Sequence, residues 1–192
     1  KYNYPADSGN VYTGKAGIEY RGAYSQSLPQ KPFGFETRDA LGNNLNVSLL
    51  GMPAENDWIL LANYNDKVFM RNTLAFHLFR KMGHYAPRDN LCEVIVNGEY
   101  QGIFVLTEKI KSDDNRLDIA KLDPDDNAGD SLSGGYIFAI DYYDDYNSWA
   151  SNFVPIDRPD RHVHFVYKYP EPDVITPQQK NYIKTYVNIA ES

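Results

Sequence analysis

The first half of the chain contains short apolar runs separated by polar turns, and this pattern favours strands. The first two runs cover 16–22 and 31–39. In the second, Phe33, Phe35 and Thr37 alternate with glycine or charged residues, which is the period of a strand with one buried face. The continuous run at 57–64 predicts a short buried strand. Two further runs flank Asn97-Gly98, the dipeptide preferred in type I′ hairpin turns. We therefore predict a mainly antiparallel sheet with a central hairpin over 91–106.

Residues 63–83 instead show the 3.6-residue period of an amphipathic helix. We predict a helix over 65–82 that packs against the sheet. Asn65 or Asp66 is the expected N-cap, and Gly83 is the expected stop signal. The predicted apolar face consists of Val68, Leu74, Ala75, Leu78, Phe79 and Met82.

Arg71 falls in the middle of this apolar face. A buried guanidinium needs an anionic partner, because leaving it unpaired costs several kcal/mol. The partner is either a sheet carboxylate, such as Glu36 or Glu93, or a phosphate group of a ligand. The sequence leaves both possibilities open.

The second half of the chain begins with a polar stretch at 111–135, and strand-like runs follow at 134–143 and 161–170. A helix is then predicted from Thr176, since Thr176, Pro177 and Gln179 form a capping box with proline at the first helical position. No stop signal follows Ile189, so the helix is expected to continue. We predict one domain over 1–175, and over 176–192 the start of a helix leading into a further lobe.

Composition narrows the possible functions. A chain of 192 residues with 42% hydrophobic residues can form a real core, which argues against disorder. The formal net charge of −7 argues against nucleic acid and anionic membranes as general partners. The longest apolar run, 58–62, is far too short to span a bilayer. Cys92 is the single cysteine, and its apolar neighbours predict an unreactive core thiol.

Two possible metal sites have weak support. The stretch 123–134 alternates acidic residues as a calcium loop does, but Ala128 and Gly134 stand where an EF-hand needs glycine and glutamate. His162 and His164 share one side of a strand, without a third ligand at a recognisable spacing. The loop 21–31 is a better candidate, because glycine, serine hydroxyls and Lys31 together can hold phosphate.

The chain resembles the spore-coat CotH kinase family, an atypical protein-kinase-like group. The resemblance rests on the blocks IEYRGAYSQSLPQKPFGFETRD, LLGMPAENDWILLANYNDKVFMRNTLAFHLFRKMG and EVIVNGEYQGIFVLTEKIK. GGYIFAID and YPEPDVITPQQKNYI continue it in order. It implies an α+β fold like the N-terminal lobe of a protein kinase, and transfer of phosphate from ATP, with Mg²⁺ or Mn²⁺, to serine of a protein substrate. Many relatives are exported or bacterial cell-surface proteins, so an extracytoplasmic location is expected.

The resemblance also assigns candidate nucleotide contacts. The loop from Arg21 would cover the phosphates, Lys31 would contact them, and the helix with Arg71 would take the place of the kinase C-helix. The backbone around 106–109 would face adenine. The nucleotide-binding candidates are thus Arg21, Ser25, Ser27, Lys31, Arg71 and Glu108.

This sequence departs from a conventional kinase in two respects. The helix has no glutamate to pair with the strand lysine. The catalytic and metal-binding aspartates of the family are expected beyond residue 192, so we assign no catalytic residue and no metal ligand here. Alone, these residues are expected to be inactive. The alternative is a non-catalytic surface module that binds glycan or protein through the Tyr-rich segment 141–149.

Overall fold

The computed structural model describes residues 12–192, which form two compact units, 12–110 and 111–192. The first unit contains β1 (Lys15–Tyr20), β2 (Phe33–Arg38), β3 (Asp57–Leu61), α1 (Arg71–Lys81), β4 (Asp89–Val96) and β5 (Glu99–Glu108). A single-turn 3-10 helix, Tyr24–Ser27, lies between β1 and β2. The five strands pair in the order β1-β2-β3-β5-β4, and every pair is antiparallel. The predicted α+β class with a mainly antiparallel sheet is confirmed.

The alternation predicted for β2 is confirmed and gives the sheet an apolar face. Phe33 lies opposite Leu60 on β3, and Leu60 lies opposite Leu106 on β5. Burial of such apolar side chains is the main favourable term in folding. The core on this face comprises Phe33, Met52, Trp58, Leu60, Phe104 and Leu106, with Phe35, Leu49, Ala62, Cys92 and Val94 partly buried against it.

The predicted hairpin is present, but its position in the sheet differs from the prediction. Asn97 and Gly98 both have positive φ, 52° and 85°, as a type I′ turn requires. Since β3 pairs with β5, only β5 lies inside the sheet, and β4 is the edge strand of the described sheet. The β4–β5 register shifts between Val94 and Ile95, where β5 bulges by one residue.

Helix α1 begins at Arg71, six residues later than predicted. The carboxylate of Asp66 accepts hydrogen bonds from the backbone N–H groups of Val68 (3.3 Å) and Arg71 (2.8 Å), which stabilises a turn in place of helix. Phe69 has a φ of 56° and cannot be helical. The predicted end is confirmed, because Gly83 follows the helix with a φ of 85°.

The orientation of α1 also differs from the prediction. Thr73, Phe76 and Arg80 are its partly buried residues. Arg80 donates to the backbone oxygen of Pro87 and lies 3.3 Å from the carboxylate of Asp89, so α1 is bound to β4. The apolar residues predicted to face the sheet are largely exposed; Val68, Leu74, Leu78, Phe79 and Met82 have 47–68% of their surface accessible.

The second unit is a three-stranded antiparallel sheet covered by a helix. It contains α2 (Gly129–Leu132), β6 (Ile137–Ile140), β7 (Ser148–Ala150), β8 (His164–Tyr169) and α3 (Pro177–Glu191), with the strands in the order β6-β8-β7. Strands β6 and β8 and the start of α3 were predicted, whereas α2 and β7 were not. Its core comprises Trp149, Phe165, Tyr167, Ile175, Ile183 and Val187. The sequence predicts that α3 leads into a further lobe. In the structure, Ile183 and Val187 of α3 pack in the core of this unit.

The capping box of α3 also holds the preceding acidic loop. The side chains and backbone N–H groups of Thr176 and Gln179 bond reciprocally, as predicted. Gln179 is fully buried, and its Nε2 donates to the backbone oxygens of Asp123 (2.8 Å) and Asp126 (3.2 Å). The calcium-like stretch is therefore fixed to the helix by an amide.

We expect Gln179→Ala to lower the free energy of unfolding by about 2–3 kcal/mol, because two loop carbonyls lose a buried donor. Gln178→Ala is the matched control, since Gln178 is exposed on the same helical turn. That control should change stability by less than about 0.5 kcal/mol. Urea unfolding followed by circular dichroism measures both, and equal effects would contradict a stabilising role for Gln179.

Candidate functional site

The second face of the first sheet is charged. Glu19, Gly34 and Ile59 form one row across β1, β2 and β3, and Gly17, Glu36 and Asp57 form the next. These two rows line a depression of about 280 Å³, and Arg21, Arg38 and Lys109 also contribute to its wall. We call this surface the charged face. Because side chains alternate along a strand, it lies on the opposite side of the sheet from the Phe33 core.

Two glycines leave space on the charged face. A Cβ atom at Gly34 would lie 3.8 Å from the side chain of Glu19, and one at Gly17 would lie 3.1 Å from Nε of Arg38. A larger side chain at position 17 would therefore displace the Arg38 guanidinium. Glycine weakens a strand interior, so its presence in two neighbouring strands is typical of a surface that something approaches closely.

Two of the three cations of the charged face are held by carboxylates. Arg38 donates to Glu36 at 2.8 Å, and Lys109 Nζ lies 3.5 Å from Asp57. Nε of Arg38 is buried and has no hydrogen-bond partner within residues 12–192. Burial lowers the pKa of Arg21, and the charge of Glu19 partly opposes this effect. An anion beside these groups would offset the cost of burying the Arg21 guanidinium.

Helix α1 is joined to the sheet through Arg80, which bonds to the backbone oxygen of Pro87 and to the carboxylate of Asp89. Asp89 of β4 lies opposite Thr107, and Thr107 lies opposite Ile59. Asp89 therefore continues, on the same side of the sheet, the row that contains Ile59. The bond from Arg80 to Asp89 therefore places the C-terminal end of α1 on the same side of the sheet as the charged face, but beside β4 rather than over β1, β2 and β3. The position of the kinase C-helix, which the family resemblance implies for α1, stays a prediction.

The structure separates the candidates of the loop between β1 and β2. Arg21 lies at the charged face, where its backbone N–H donates to Pro32 at 3.1 Å. Lys31 lies on the other face. Its Nζ is 5.1 Å from the ring centroid of Tyr20, which lies opposite Phe33 on the side of the apolar core. Ser25 and Ser27 lie in the 3-10 helix, and the hydroxyl of Ser27 donates to the backbone oxygen of Tyr24.

Gly22 fixes the start of this loop. Its φ is 80°, and a Cβ atom there would lie 2.2 Å from the hydroxyl oxygen of Ser25. The left-handed backbone conformation favours glycine here, and a larger residue would also have to displace the Ser25 hydroxyl.

The side chain of Glu108, one of the predicted nucleotide contacts, is bonded to Arg88 of the protein itself. The Glu108 side chain is fully buried, with Oε1 2.6 Å from Nε of Arg88 and Oε2 accepting the Arg88 backbone N–H at 3.0 Å. The Glu108 backbone N–H also donates to the oxygen of Arg88, at 3.2 Å. These bonds fix the end of β5 to the segment before β4. Sequence reasoning missed Arg88, since its partner lies 20 residues away.

Arg71 is not buried, which corrects the prediction. Its side chain is 77% exposed, and Nε lies 3.5 Å from the carboxylate of Asp66 rather than near Glu36 or Glu93. Arg71 is the first residue of α1, so residues 65–70 contribute no helical turn that would direct it to the sheet. The basis for a buried ion pair is therefore removed.

The Tyr-rich segment 141–149 is divided between surface and core. Tyr142, Tyr143 and Tyr146 are 61–86% exposed, whereas Trp149 is 5% exposed and belongs to β7. Asp144 accepts backbone hydrogen bonds from Tyr146 and Asn147, and these bonds, that of Tyr146 first, lower the pKa of Asp144. The segment is thus an ordered turn with an exposed tyrosine surface.

Cys92, predicted to be an unreactive core thiol, packs partly buried against the apolar core. Burial raises the pKa of this thiol, which disfavours the reactive thiolate. Within residues 12–192, no group of three or more His, Cys, Asp and Glu side chains is placed to hold a metal ion. The same residues contain no helix with the length and apolarity needed to cross a membrane.

Comparison with known proteins identifies a family. Residues 18–192 match the family model described as CotH kinase protein. No curated protein shows a significant sequence match to the chain. The family match spans both compact units, so it covers the charged face, α1 and the α3 unit alike.

We expect Arg71→Ala to change the free energy of unfolding by less than about 0.5 kcal/mol, because an exposed ion pair contributes little. Asp66→Ala should cost about 1–2 kcal/mol, since its largely buried carboxylate accepts two backbone N–H groups before α1. Thermal melts of both variants test this difference. A loss of several kcal/mol in Arg71→Ala would restore the buried-partner interpretation.

Proposed function

Because the chain belongs to the CotH kinase family, we propose that the charged face is the nucleotide-binding surface of a protein-kinase-like phosphotransferase. The proposed reaction is transfer of phosphate from ATP, with Mg²⁺ or Mn²⁺, to serine of a secreted, coat or cell-surface protein. One observation carries the assignment of the site: a charged depression floored by glycines lies where β1 ends and the loop to β2 begins, with Arg21 and Arg38 in its wall. Acceptor and location rest on the family resemblance alone.

Arg21 is the proposed main phosphate ligand. Its guanidinium is partly desolvated, so an adjacent phosphate would gain a charge-assisted hydrogen bond without displacing a full hydration shell. Arg38, which also lines the depression, would add positive charge beside the phosphate while Glu36 holds its guanidinium. Guanidinium groups suit this role because their planar N–H groups match phosphate oxygens.

The carboxylates of the charged face limit how a nucleotide binds. Glu36 and Asp57 repel phosphate but also hold Arg38 and Lys109 in place. A divalent cation bound with the nucleotide would neutralise phosphate charge and reduce this repulsion. At about 280 Å³ the depression is slightly smaller than typical ligand pockets, which are roughly 300–1,000 Å³. We therefore propose that it holds the phosphates and leaves part of the nucleotide outside.

We expect Arg21→Gln to weaken binding of a fluorescent ATP analogue, in the presence of Mn²⁺, by about 10–100-fold. The reason is the loss of a hydrogen bond between two charged groups, worth about 1.5–3 kcal/mol. Fluorescence titration measures the affinity, and the melting temperature shows whether the variant is folded.

Lys31→Met is the matched control, because Lys31 carries the same charge on the opposite face. It should leave nucleotide affinity within about twofold. The reverse result, with Lys31 essential and Arg21 dispensable, would move the nucleotide to the other face. An unchanged affinity in both variants would remove the loop between β1 and β2 from the site.

A further inference from the structure

The first sheet has a gap beside the N-terminal half of β5. Strand β3 ends at Leu61, opposite Val105, whereas β5 begins at Glu99. In this gap the side-chain amide of Gln30 donates to the backbone oxygens of Gln101 (3.3 Å) and Ile103 (2.9 Å). Backbone acceptors that a longer β3 would have used are therefore paired by one side chain.

Gly102 allows this arrangement. Its φ is 102°, and a Cβ atom there would lie 3.0 Å from Nε2 of Gln30. A side chain at position 102 would strain the backbone and press against the Gln30 amide. The gap is thus a defined feature of the sheet.

An aromatic hollow of about 360 Å³ lies over this gap, on the face opposite the charged face. Its floor is Phe33 and Phe104, 8% and 1% exposed. Its rim includes Tyr20, Tyr64 and Tyr100, which are 50–59% exposed. Tyr20 stacks on Phe33 with ring centroids 5.0 Å apart, so at this end the rim joins the floor, and the accessible aromatic surface of the hollow is that of the three tyrosines.

The polar groups of the aromatic hollow differ between its ends. Lys31 lies over the ring of Tyr20, and the hydroxyl of Tyr100 donates to Glu93 at 3.2 Å. The end with Lys31 and Tyr20 is therefore cationic, and an acidic group of a ligand would be favoured there.

We propose that the aromatic hollow binds an extended, proline-rich segment of a protein, with an acidic residue placed at Lys31. Addition of a ligand strand to β5 is disfavoured, because Gln30 already occupies two of the backbone acceptors. A polyproline II segment needs no strand partner; it presents prolyl rings to aromatic side chains and unpaired carbonyls to donors. The phenolic hydroxyls of Tyr20 and Tyr64 provide such donors.

The test uses the whole chain without nucleotide, so its result does not depend on the proposed kinase function. The probe is the acetylated, amidated peptide APPEPPA, compared with APPQPPA and with the proline-free peptide AAAEAAA. We expect APPEPPA, at about 1 mM, to shift amide NMR signals of residues 29–31 and 100–104. AAAEAAA should produce no shifts, because it lacks the prolyl rings.

Tyr64→Ala should weaken binding of APPEPPA at least about tenfold, as expected for loss of an aromatic anchor. Lys31→Met should weaken it about two- to fivefold and leave binding of APPQPPA unchanged, since only the acidic peptide uses the charge. Tyr24→Ala and Lys81→Met, at exposed positions outside the hollow, should bind like the unmodified chain.

Three results would overturn the proposal. The first is no shift at millimolar peptide with the folded chain. The second is equal binding of AAAEAAA, which would mean that proline is not recognised. The third is binding of a polygalacturonate oligosaccharide in the hollow without binding of APPEPPA, which would assign the aromatic surface to acidic glycans.

Discussion

The pairing of β2 with β3 determines both faces of the first sheet. It holds Phe33 opposite Leu60, within the apolar core, and Gly34 opposite Ile59, on the floor of the charged depression. Because side chains alternate with a period of two, a slip by one residue would bring Glu36 and Arg38 into the core. Burial of such charges without partners is prohibitive, so the apolar core enforces the geometry of the site on the reverse side.

Local signals in the sequence were sufficient for several elements. Asn97-Gly98 specifies a hairpin turn through its positive φ angles, and Thr176 with Gln179 specifies the start of α3 through reciprocal hydrogen bonds. In both cases the determining interactions lie within four residues. Strand β7 had no such signal: Trp149 is buried by Phe165 and Tyr167 of another strand, a contact that sequence proximity does not reveal.

The prediction for α1 was wrong because a regular apolar period was extended through residues that form a turn. Asp66 uses its carboxylate to accept two backbone N–H groups, and this turn delays the helix until Arg71. The side of α1 that faces the sheet was then set by the bond from Arg80 to Asp89. Neither interaction contributes to a hydrophobic period. The candidate site shows the same limit. Arg21 belongs to a loop that the sequence singles out, whereas Arg38 and Lys109 lie beside the same depression only because β1, β2 and β3 pair as they do and Lys109 bonds to Asp57.

The bulge between β4 and β5 has a consequence for the protein in concentrated solution. As the edge of the described sheet, β4 offers backbone hydrogen-bonding groups beside the exposed apolar side chains of Leu91 and Ile95. A regular edge of this kind is a template for pairing with another molecule, and from there for aggregation. The register shift after Val94, with its extra residue in β5, increases the local twist of the pair and makes the β4 edge a less regular template. An irregularity of one residue thus disfavours regular pairing of this edge with a second molecule.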